Sequence, residues 1–315
     1  MRVGDDVYIR SAYGPENPWL VRARASGAGR LTVAGHERDV GFEVPSPDVD
    51  DEVSAAYRAK SRGGTLGPVR LWVGTSGFHY AHWRRVFYPA GLPTERWLAF
   101  YAERFLTVEL NAPFYRLPPR RTFEGWARSV PDGFRFAVKV SRYLTHVLRL
   151  REPEEPMQRL LDRCSGLGHR LGPLLLQLPP DLEVAPDRLS DVLERLPADI
   201  RLAVEPRHDS WWNDEIEALL RSRHVALCWA DRRGPISPTW ATADWRYLRY
   251  HEGRGEPSSC YRPRELRPWI ERLAADAGRI DDAWIYFNND PFGCAVRDAT
   301  ELMRRARDAG LDVVG

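Results

Sequence analysis

Residues 201–207 read Arg-Leu-Ala-Val-Glu-Pro-Arg, an apolar run that ends in two ionisable side chains, Glu205 and Arg207. A run this short and apolar predicts a buried strand of a parallel sheet. Seven similar runs occur along the chain: Leu71–Ser76, Thr107–Asn111, Phe134–Ser141, Leu174–Leu178, Val225–Asp231, Trp245–His251 and Trp284–Asn289. Helix-like stretches separate most of them. Strand followed by helix, eight times over, predicts an α/β fold, a (β/α)8 or TIM barrel.

In such a barrel the carboxyl ends of the strands, and the loops that follow them, form the active site. Polar residues at and after the ends of the eight runs are therefore the candidates for function. The candidate catalytic residues are Glu109, Lys139, His146, Glu205, Arg207, His208, Asp231 and His251. The candidate substrate-binding residues are Ser76, Tyr80, Asn111, Tyr115, Gln177, Trp211, Arg249, Asn288 and Asn289.

The composition excludes several classes of protein. The net charge of +2 over 315 residues is too small to indicate a nucleic-acid or membrane partner. No apolar run is long enough to span a bilayer, and no signal peptide is recognisable, so we expect a cytoplasmic protein. The four cysteines have neither metal-finger nor redox-pair spacing: Cys164, Cys228, Cys260 and Cys294. We therefore expect reduced thiols.

Only two of the 46 basic residues are lysines, Lys60 and Lys139. A coding bias toward arginine explains the general preference. In such a chain, however, a lysine on an interior strand indicates a selected residue, because ammonium and guanidinium groups are not interchangeable. Lys139 as a neutral amine would be a general base or a Schiff-base nucleophile. As a cation it would neutralise Glu109 or Glu205, and the abundance of carboxylates favours this second interpretation.

The two-residue period of a strand places Glu109 and Asn111 on one face of the second strand, and Glu205 and Arg207 on one face of the fifth strand. If these faces point inward, two carboxylates and a guanidinium lie near the barrel mouth. They then form either a polar plug of ion pairs that closes the barrel, or a site with perturbed pKa values. Both interpretations stay open, and we expect Glu109, Lys139, Glu205 and Arg207 to converge in one pocket.

Other ligands follow from the same ends of the strands. The histidines and carboxylates there could hold a divalent metal, but no tight two-histidine motif supports one, so we assign no metal and leave any cofactor unknown. Phosphate is favoured, because barrel enzymes often bind it at the loops after strands seven and eight. Those loops hold Gly253, Arg254 and Gly255, then Gly293 before a helix. The glycines could equally be ordinary turn residues. Aromatic residues near the same face could stack on sugars or bases, or simply pack.

Residues 1–60 do not follow the barrel pattern. Short strands with glycine turns and a helix at residues 48–59 predict a small β-meander plus helix. Residues 61–69 predict a linker, and residues 70–315 the barrel domain.

Several motifs of the barrel region occur together in order. They are Gly74-Thr75-Ser76-Gly77, Val108-Glu109-Leu110-Asn111, Gln177-Leu178-Pro179-Pro180, Val204-Glu205-Pro206-Arg207-His208-Asp209-Ser210-Trp211 and Phe287-Asn288-Asn289-Asp290. With these the chain resembles the YecE-like family, domain of unknown function 72, over residues 70–310. The resemblance implies a TIM barrel and no established activity. The N-terminal residues resemble a second family, a truncated domain of unknown function 2255, which is a split-barrel-like domain. The motifs that carry this resemblance are Val3-Gly4-Asp5-Asp6-Val7-Tyr8 and Asn17-Pro18-Trp19.

The sequence thus favours an enzyme, a hydrolase or isomerase, acting on a small anionic substrate that is phosphorylated or sugar-like. Glu109 and Glu205 would be acid/base groups, while Lys139, Arg207 and Arg249 would neutralise substrate charge. A nucleic-acid-binding barrel and a non-catalytic ligand-binding protein are the alternatives.

Overall fold

The computed structural model describes residues 2–3, 6–7, 25–33, 36–41, 69–231 and 237–315. The chain divides into two units, Met1–Leu66 and Gly67–Gly315. The first unit contains two antiparallel pairs, β1 (Arg2–Val3) with β2 (Asp6–Val7), and β3 (Ala28–Val33) with β4 (His36–Gly41). The helix expected at residues 48–59 and most of the expected linker lie outside the described residues.

The second unit is built on one parallel sheet. Its strands are β5 (Arg70–Thr75), β6 (Thr107–Leu110), β7 (Arg135–Lys139), β8 (Leu171–Gln177), β9 (Leu202–Glu205), β10 (Ala226–Asp231), β11 (Trp245–Tyr250), β12 (Asp282–Phe287) and β13 (Asp312–Val313). They lie in the order β13-β5-β12-β11-β10-β9-β8-β7-β6. All eight expected strands are confirmed to within a few residues, whereas the short strand β13 was not predicted. The α/β class and the parallel sheet are confirmed.

Helices follow most of the strands. They are α1 (Trp97–Ala102), α2 (Ala112–Tyr115), α3 (Arg120–Arg128), α4 (Glu154–Cys164), α5 (Pro186–Glu194), α6 (Asp214–Ser222), α7 (Pro263–Ala275) and α8 (Cys294–Asp308). Their apolar faces bury Leu160, Leu189 and Ile216 in a core shared with Leu174 and Val204 of the sheet. None of the described helices is both long and apolar enough to cross a bilayer.

A second, smaller apolar cluster is formed by side chains at every second position of the strands, which alternate with those that pack against the helices. Its members include Trp72, Ala137, Leu175, Ala203, Cys228, Tyr247, Trp284 and Tyr286. One step further along the same period lie Lys139, Gln177, Glu205 and Arg249. Because side chains alternate across a strand, these polar groups share the face of the apolar cluster, at the carboxyl end of the sheet. The fold thus collects polar residues from separate strands at one end of an apolar layer.

The sheet curls, so that its first and second strands in sequence approach each other. Ser76, just after β5, and Glu109 of β6 form an isolated parallel bridge. A side chain at Gly74 would meet the carbonyl oxygen of Thr107 at 2.2 Å, so only glycine permits this approach. At the opposite end of β5, β13 pairs with Arg70 and Leu71.

One expectation from composition is wrong. Cys260 and Cys294 form a disulfide, with their Cα atoms 4.9 Å apart, while Cys164 and Cys228 are free and buried. The spacing of the cysteines in the sequence did not predict this pair. The two residues meet only because the fold brings the loop before α7 against the first residue of α8. Reduced thiols are therefore correct only for Cys164 and Cys228.

Candidate functional site

An arginine and two glutamates form a buried cluster near the carboxyl ends of the strands. Arg249 Nη1 donates to Glu205 Oε2 at 2.6 Å, and Arg249 Nη2 donates to Glu109 Oε1 at 2.8 Å. The Tyr247 hydroxyl donates to the other Glu109 oxygen at 2.6 Å. Exposure of the three charged side chains is 1% or less. Because a buried charge is costly unless it is paired, each carboxylate here has a donor within hydrogen-bond distance.

Glu205 is the most connected member of this cluster. Arg207 Nε lies 3.4 Å from its Oε1 atom, and His251 Nε2 lies at the same distance. Burial alone would raise the pKa of Glu205, but Arg249, His251 and Arg207 outweigh burial and hold it well below its usual value. Glu205 is therefore a fixed negative charge, which does not suit the role of a proton donor near neutral pH.

His251 connects this cluster to Asp231. The Asn288 amide nitrogen lies 3.2 Å from His251 Nδ1, an arrangement that leaves the ring proton on Nε2, toward Glu205. Burial, together with the charges of Arg249 and Arg207, lowers the pKa of His251. The His251 amide donates to Asp231 at 2.9 Å, and the Tyr261 hydroxyl donates to the same carboxylate. Burial raises the pKa of Asp231 to about 6 despite these two donors.

A cavity of about 330 Å³ is formed by residues at the ends of these strands. It is lined by Asn111, Phe114, Tyr115, Lys139, His146, Gln177, Arg207, Arg249 and Asn288. Eight of these nine residues were candidates from the sequence. None of the nine is acidic, whereas three carry a lysine or arginine cation. The cavity therefore presents positive charge, and the two glutamates lie in the Arg249 cluster rather than in its lining.

Lys139 differs from the expectation. Its Nζ atom lies 3.9 Å from the centre of the Phe114 ring, and the residue is 7% exposed. Within the described residues Lys139 makes no direct ion pair with Glu109 or Glu205, although the charges of both carboxylates raise its pKa and so oppose the effect of burial. Arg249 is their direct partner instead, because its forked guanidinium reaches both carboxylates at once. For the same reason Arg249 is largely committed before any ligand arrives.

His146 lies beside Lys139 in the same lining. A single π-helical turn, Tyr143–Val147, follows β7 and carries it. Its Nδ1 atom lies 2.8 Å from Thr145 Oγ1, and its ring meets Phe114 edge-on at 5.1 Å between centroids. Burial first, and then the charge of Lys139, lower the pKa of His146. A neutral imidazole near an amine can accept or return a proton.

Three candidates have structural roles instead. Trp211 is fully buried and its indole donates to the Leu182 carbonyl, so it belongs to the core. The His208 ring accepts a hydrogen bond from the Ser210 amide and caps the turn that follows. Asn289 is buried and donates to the Asp298 carboxylate and the Ser259 carbonyl. Sequence position could not separate these residues from the lining, because they lie in loops after strands whose ends do reach it.

Ser76 and Tyr80 lie next to the cluster rather than in the lining. Ser76 Oγ is 3.5 Å from Arg249 Nη2, while the Tyr80 hydroxyl donates to the Ser76 carbonyl. The glycines after β11 are turn residues. The Gly253 amide donates to the Ser259 carbonyl and the Gly255 amide to the Cys260 carbonyl, so neither points to a free anion site.

The sequence missed Tyr247, the hydroxyl donor to the buried Glu109, and Tyr261, the hydroxyl donor to the partly buried Asp231. Tyr247 precedes Arg249 by two positions, so its place on the inner face could have been found from the strand period. No local signal marks Tyr261, which lies in the loop before α7. Within the described residues, no three histidine, cysteine, aspartate or glutamate side chains are grouped as metal ligands would be.

Residues 72–313 match the family model described as "Protein of unknown function DUF72". The chain belongs to the DUF72 family. Residues 1–72 match a second model, "Uncharacterized protein conserved in bacteria (DUF2255)". Both resemblances expected from the sequence are thereby confirmed.

Relatives of this DUF72 chain are similar along much of its length. The UPF0759 protein YunF of Bacillus subtilis is 23% identical over 256 residues, 69% of this chain and 88% of that protein. The UPF0759 protein YecE of Escherichia coli K12 is 29% identical over 159 residues, 49% of this chain and 55% of YecE.

Two solved structures of the family share the fold. A DUF72 family protein from Thermotoga maritima has 30% identity and a TM-score of 0.68, covering 76% of this chain and 99% of that one. A DUF72 family protein from Enterococcus faecalis has 18% identity and a TM-score of 0.65, covering 75% and 95%. The second likeness concerns the fold alone.

Proposed function

We propose that the cavity beside the Arg249 cluster binds a small anionic ligand, phosphorylated or sugar-like, and that this DUF72 chain is an enzyme acting on it. One observation carries the proposal. The cavity lining contains Lys139, Arg207 and Arg249 and no acidic residue, although two buried glutamates lie next to it. Arg249 offsets only one of the two glutamate charges, but the three cations together outnumber the two glutamates, so the site keeps a net positive charge.

Arg207 and Lys139 are the groups available to a ligand. Among the described residues Arg207 makes a single long polar contact, 3.4 Å to Glu205, and its side chain is 25% exposed. Most of its donors are therefore free to meet the oxygens of a phosphate or carboxylate. Lys139 is held only by the Phe114 ring among the described residues. A ligand anion between these two side chains would offset the cost of burying them.

The remaining lining supplies orientation and proton transfer. Asn111, Gln177 and Asn288 offer amide groups for hydroxyls, and Tyr115, 71% exposed, stands at the rim. His146 is placed to move a proton at the ligand. A volume of about 330 Å³ suits a ligand the size of a small sugar phosphate. Hydrolysis and isomerisation both fit these groups.

We also infer that the curled sheet closes as a (β/α)8 barrel. The bridge between Ser76 and Glu109 and the close approach at Gly74 support closure at the carboxyl end. At the other end the Val314 amide donates to the Leu71 carbonyl, and Gly315 lies against the Leu106 side chain. The carboxyl-terminal strand would thus fill the gap between β5 and β6 where they diverge.

Binding of a carbonyl-free anion tests the proposal directly. Glycerol 3-phosphate and inorganic phosphate are titrated by calorimetry into the full chain, the Arg207→Met variant and the Arg267→Met control, whose side chain is 76% exposed. We expect saturable binding that weakens about tenfold or more in Arg207→Met, which corresponds to about 1.4 kcal/mol, and is unchanged in Arg267→Met. Absence of binding at millimolar ligand, or equal weakening in both variants, would contradict the proposal.

Phosphorus NMR of sugar phosphates incubated with the protein tests the catalytic part. Release of inorganic phosphate identifies a hydrolase, while a new phosphate ester signal without release identifies an isomerase. Either change should be lost in Lys139→Met and kept in Arg267→Met. If a sugar phosphate binds but none in a broad panel changes, the cavity is a binding site only.

A further inference from the structure

Lys139 combines three features that bear on its chemistry. It is the last residue of β7, it lines the cavity, and no hydrogen bond or ion pair joins it to another described residue. The Phe114 ring covers one side of its Nζ atom at 3.9 Å. The other lysine or arginine cations of the lining are Arg207 and Arg249. Because no described hydrogen-bond donor engages this amine, its lone pair is available to a ligand once the amine loses its proton.

We infer that Lys139 Nζ forms an imine with the carbonyl carbon of a small anionic carbonyl compound, either a 2-oxo acid or a phosphorylated aldose or ketose. The inference rests on the proposed function, since Arg207 would hold the anionic group of the same ligand. It narrows the reaction to one that proceeds through a covalent lysine intermediate, and so disfavours simple phosphate hydrolysis.

The protonation state of Lys139 supports this chemistry. Burial first, and then the charge of Arg249, lower its pKa from the ordinary 10.5 to about 8, with Glu109 and Glu205 opposing in part. About one molecule in ten then carries the neutral amine at pH 7, compared with about one in several thousand for an exposed lysine. Desolvation among cations is an established way to activate a lysine nucleophile.

The step balances without an added oxidant or reductant. The Nζ lone pair attacks the carbonyl carbon, a C–N bond forms, and the carbonyl π electrons pass to the oxygen, which takes a proton. The nitrogen then loses one proton, which gives a carbinolamine. A second proton reaches the hydroxyl oxygen, and the C–O bond breaks as the nitrogen lone pair forms the C=N bond, so that water leaves and a protonated imine remains. His146 is the group that carries these protons, since its Nδ1 atom is engaged with Thr145 and its Nε2 atom has no partner among the described residues.

The arrangement around Phe114 explains how the two groups meet. The ring lies under the Lys139 amine and against the edge of the His146 imidazole, at 3.9 and 5.1 Å. The Phe114 ring therefore contacts both the acid–base group His146 and the nucleophile Lys139, and it keeps water from one side of the amine. Cation–π attraction favours the charged amine, so the ring also limits the fraction of Lys139 that is neutral.

Borohydride trapping tests the imine in the full chain. The protein is incubated at pH 7 with pyruvate or with dihydroxyacetone phosphate, reduced with sodium borohydride, digested and mapped by mass spectrometry. We expect a reduced adduct at Lys139 that forms about tenfold or more faster than any adduct at Lys60, the other lysine of the chain. The probe that labels faster separates a 2-oxo acid from a phosphorylated sugar.

The chain provides matched controls. Lys139→Met should abolish the rapid adduct and Lys60→Met should leave it unchanged, while uncharged dihydroxyacetone should label Lys139 more slowly than its phosphate. No adduct at Lys139, labelling no faster than at Lys60, or equal labelling by the charged and uncharged ketones would each overturn the inference. Retained binding of glycerol 3-phosphate in that case would leave the proposed anion site standing, so the two failures are distinguishable.

Discussion

Replacing Lys139 by methionine should stabilise the protein. Methionine has nearly the same length and volume as lysine without its ammonium group, so it can occupy the same space against Phe114. Lys139 is 7% exposed as a residue, and its amine has no ion-pair partner among the described residues. Folding therefore desolvates a cation, and the substitution removes that cost.

The size of the effect follows from the pKa. The unfolded chain holds the Lys139 proton up to about pH 10.5, whereas the folded chain releases it near pH 8. Between these values the unfolded state binds more protons, so the stability of the native protein rises with pH through this window. A shift of this size corresponds to about 2–3 kcal/mol at pH 7 once cation–π attraction is discounted, and to about 1 kcal/mol at pH 9.5.

Urea unfolding of native protein and variant at pH 7, 8 and 9.5 measures both quantities. We expect Lys139→Met to be the more stable protein at pH 7 and its advantage to shrink by about half or more at pH 9.5. Arg267→Met, which removes an exposed cation, should stay within about 0.5 kcal/mol at every pH. A destabilised Lys139→Met, or an advantage that does not change with pH, would refute the assignment of Lys139 as a desolvated, unpaired amine.

Three further outcomes follow from the structure. Arg249→Met should lower the free energy of unfolding by about 3–5 kcal/mol in urea titrations, because it leaves two buried carboxylates without their cation, and a loss below about 1 kcal/mol would disprove the shared pairing. The raised pKa of Asp231 means that the native protein loses stability as this carboxyl group ionises through pH 6. The stability of Asp231→Asn relative to native protein should therefore increase by about 1 kcal/mol from pH 5 to pH 7 in urea unfolding, and a difference that does not change with pH would contradict this. Reduction of the bond between Cys260 and Cys294, 34 residues apart, should lower the free energy of unfolding by about 3–4 kcal/mol, because the bond restricts the unfolded chain. Calorimetry with and without reductant measures this loss, and an unchanged melting temperature would contradict it.

The sequence was sufficient for the strands and for the face on which the polar residues lie. Apolar runs shorter than a helix identified all eight long strands, because a strand buried on both sides has few polar positions. The two-residue period then placed Glu109 with Asn111, and Glu205 with Arg207, on strand faces that were expected to point inward. Parallel strands end at one edge, so their convergence could be expected before any coordinate was known.

Other features had no local signal. The strand β13 has two residues, Asp312 and Val313, and exists only because β5 offers it a free edge. The disulfide joins a loop to a helix start across 34 residues, and Trp211 was buried by a turn that points its indole to Leu182. Each depends on how loops fold back on the sheet, which no periodicity encodes.

Pairing within the site was likewise decided by tertiary structure. Local sequence favoured Lys139 as counter-ion to the glutamates, yet Arg249 reaches Glu205 across 44 residues and Glu109 across 140. Strand periodicity fixes the face of a side chain, whereas the distance between two side chains on that face depends on the curl and stagger of the whole sheet. The forked guanidinium of Arg249 lies where it can donate to both Glu109 and Glu205. As a result Lys139, the only lysine of the described residues, faces the cavity without an ion-pair partner among them.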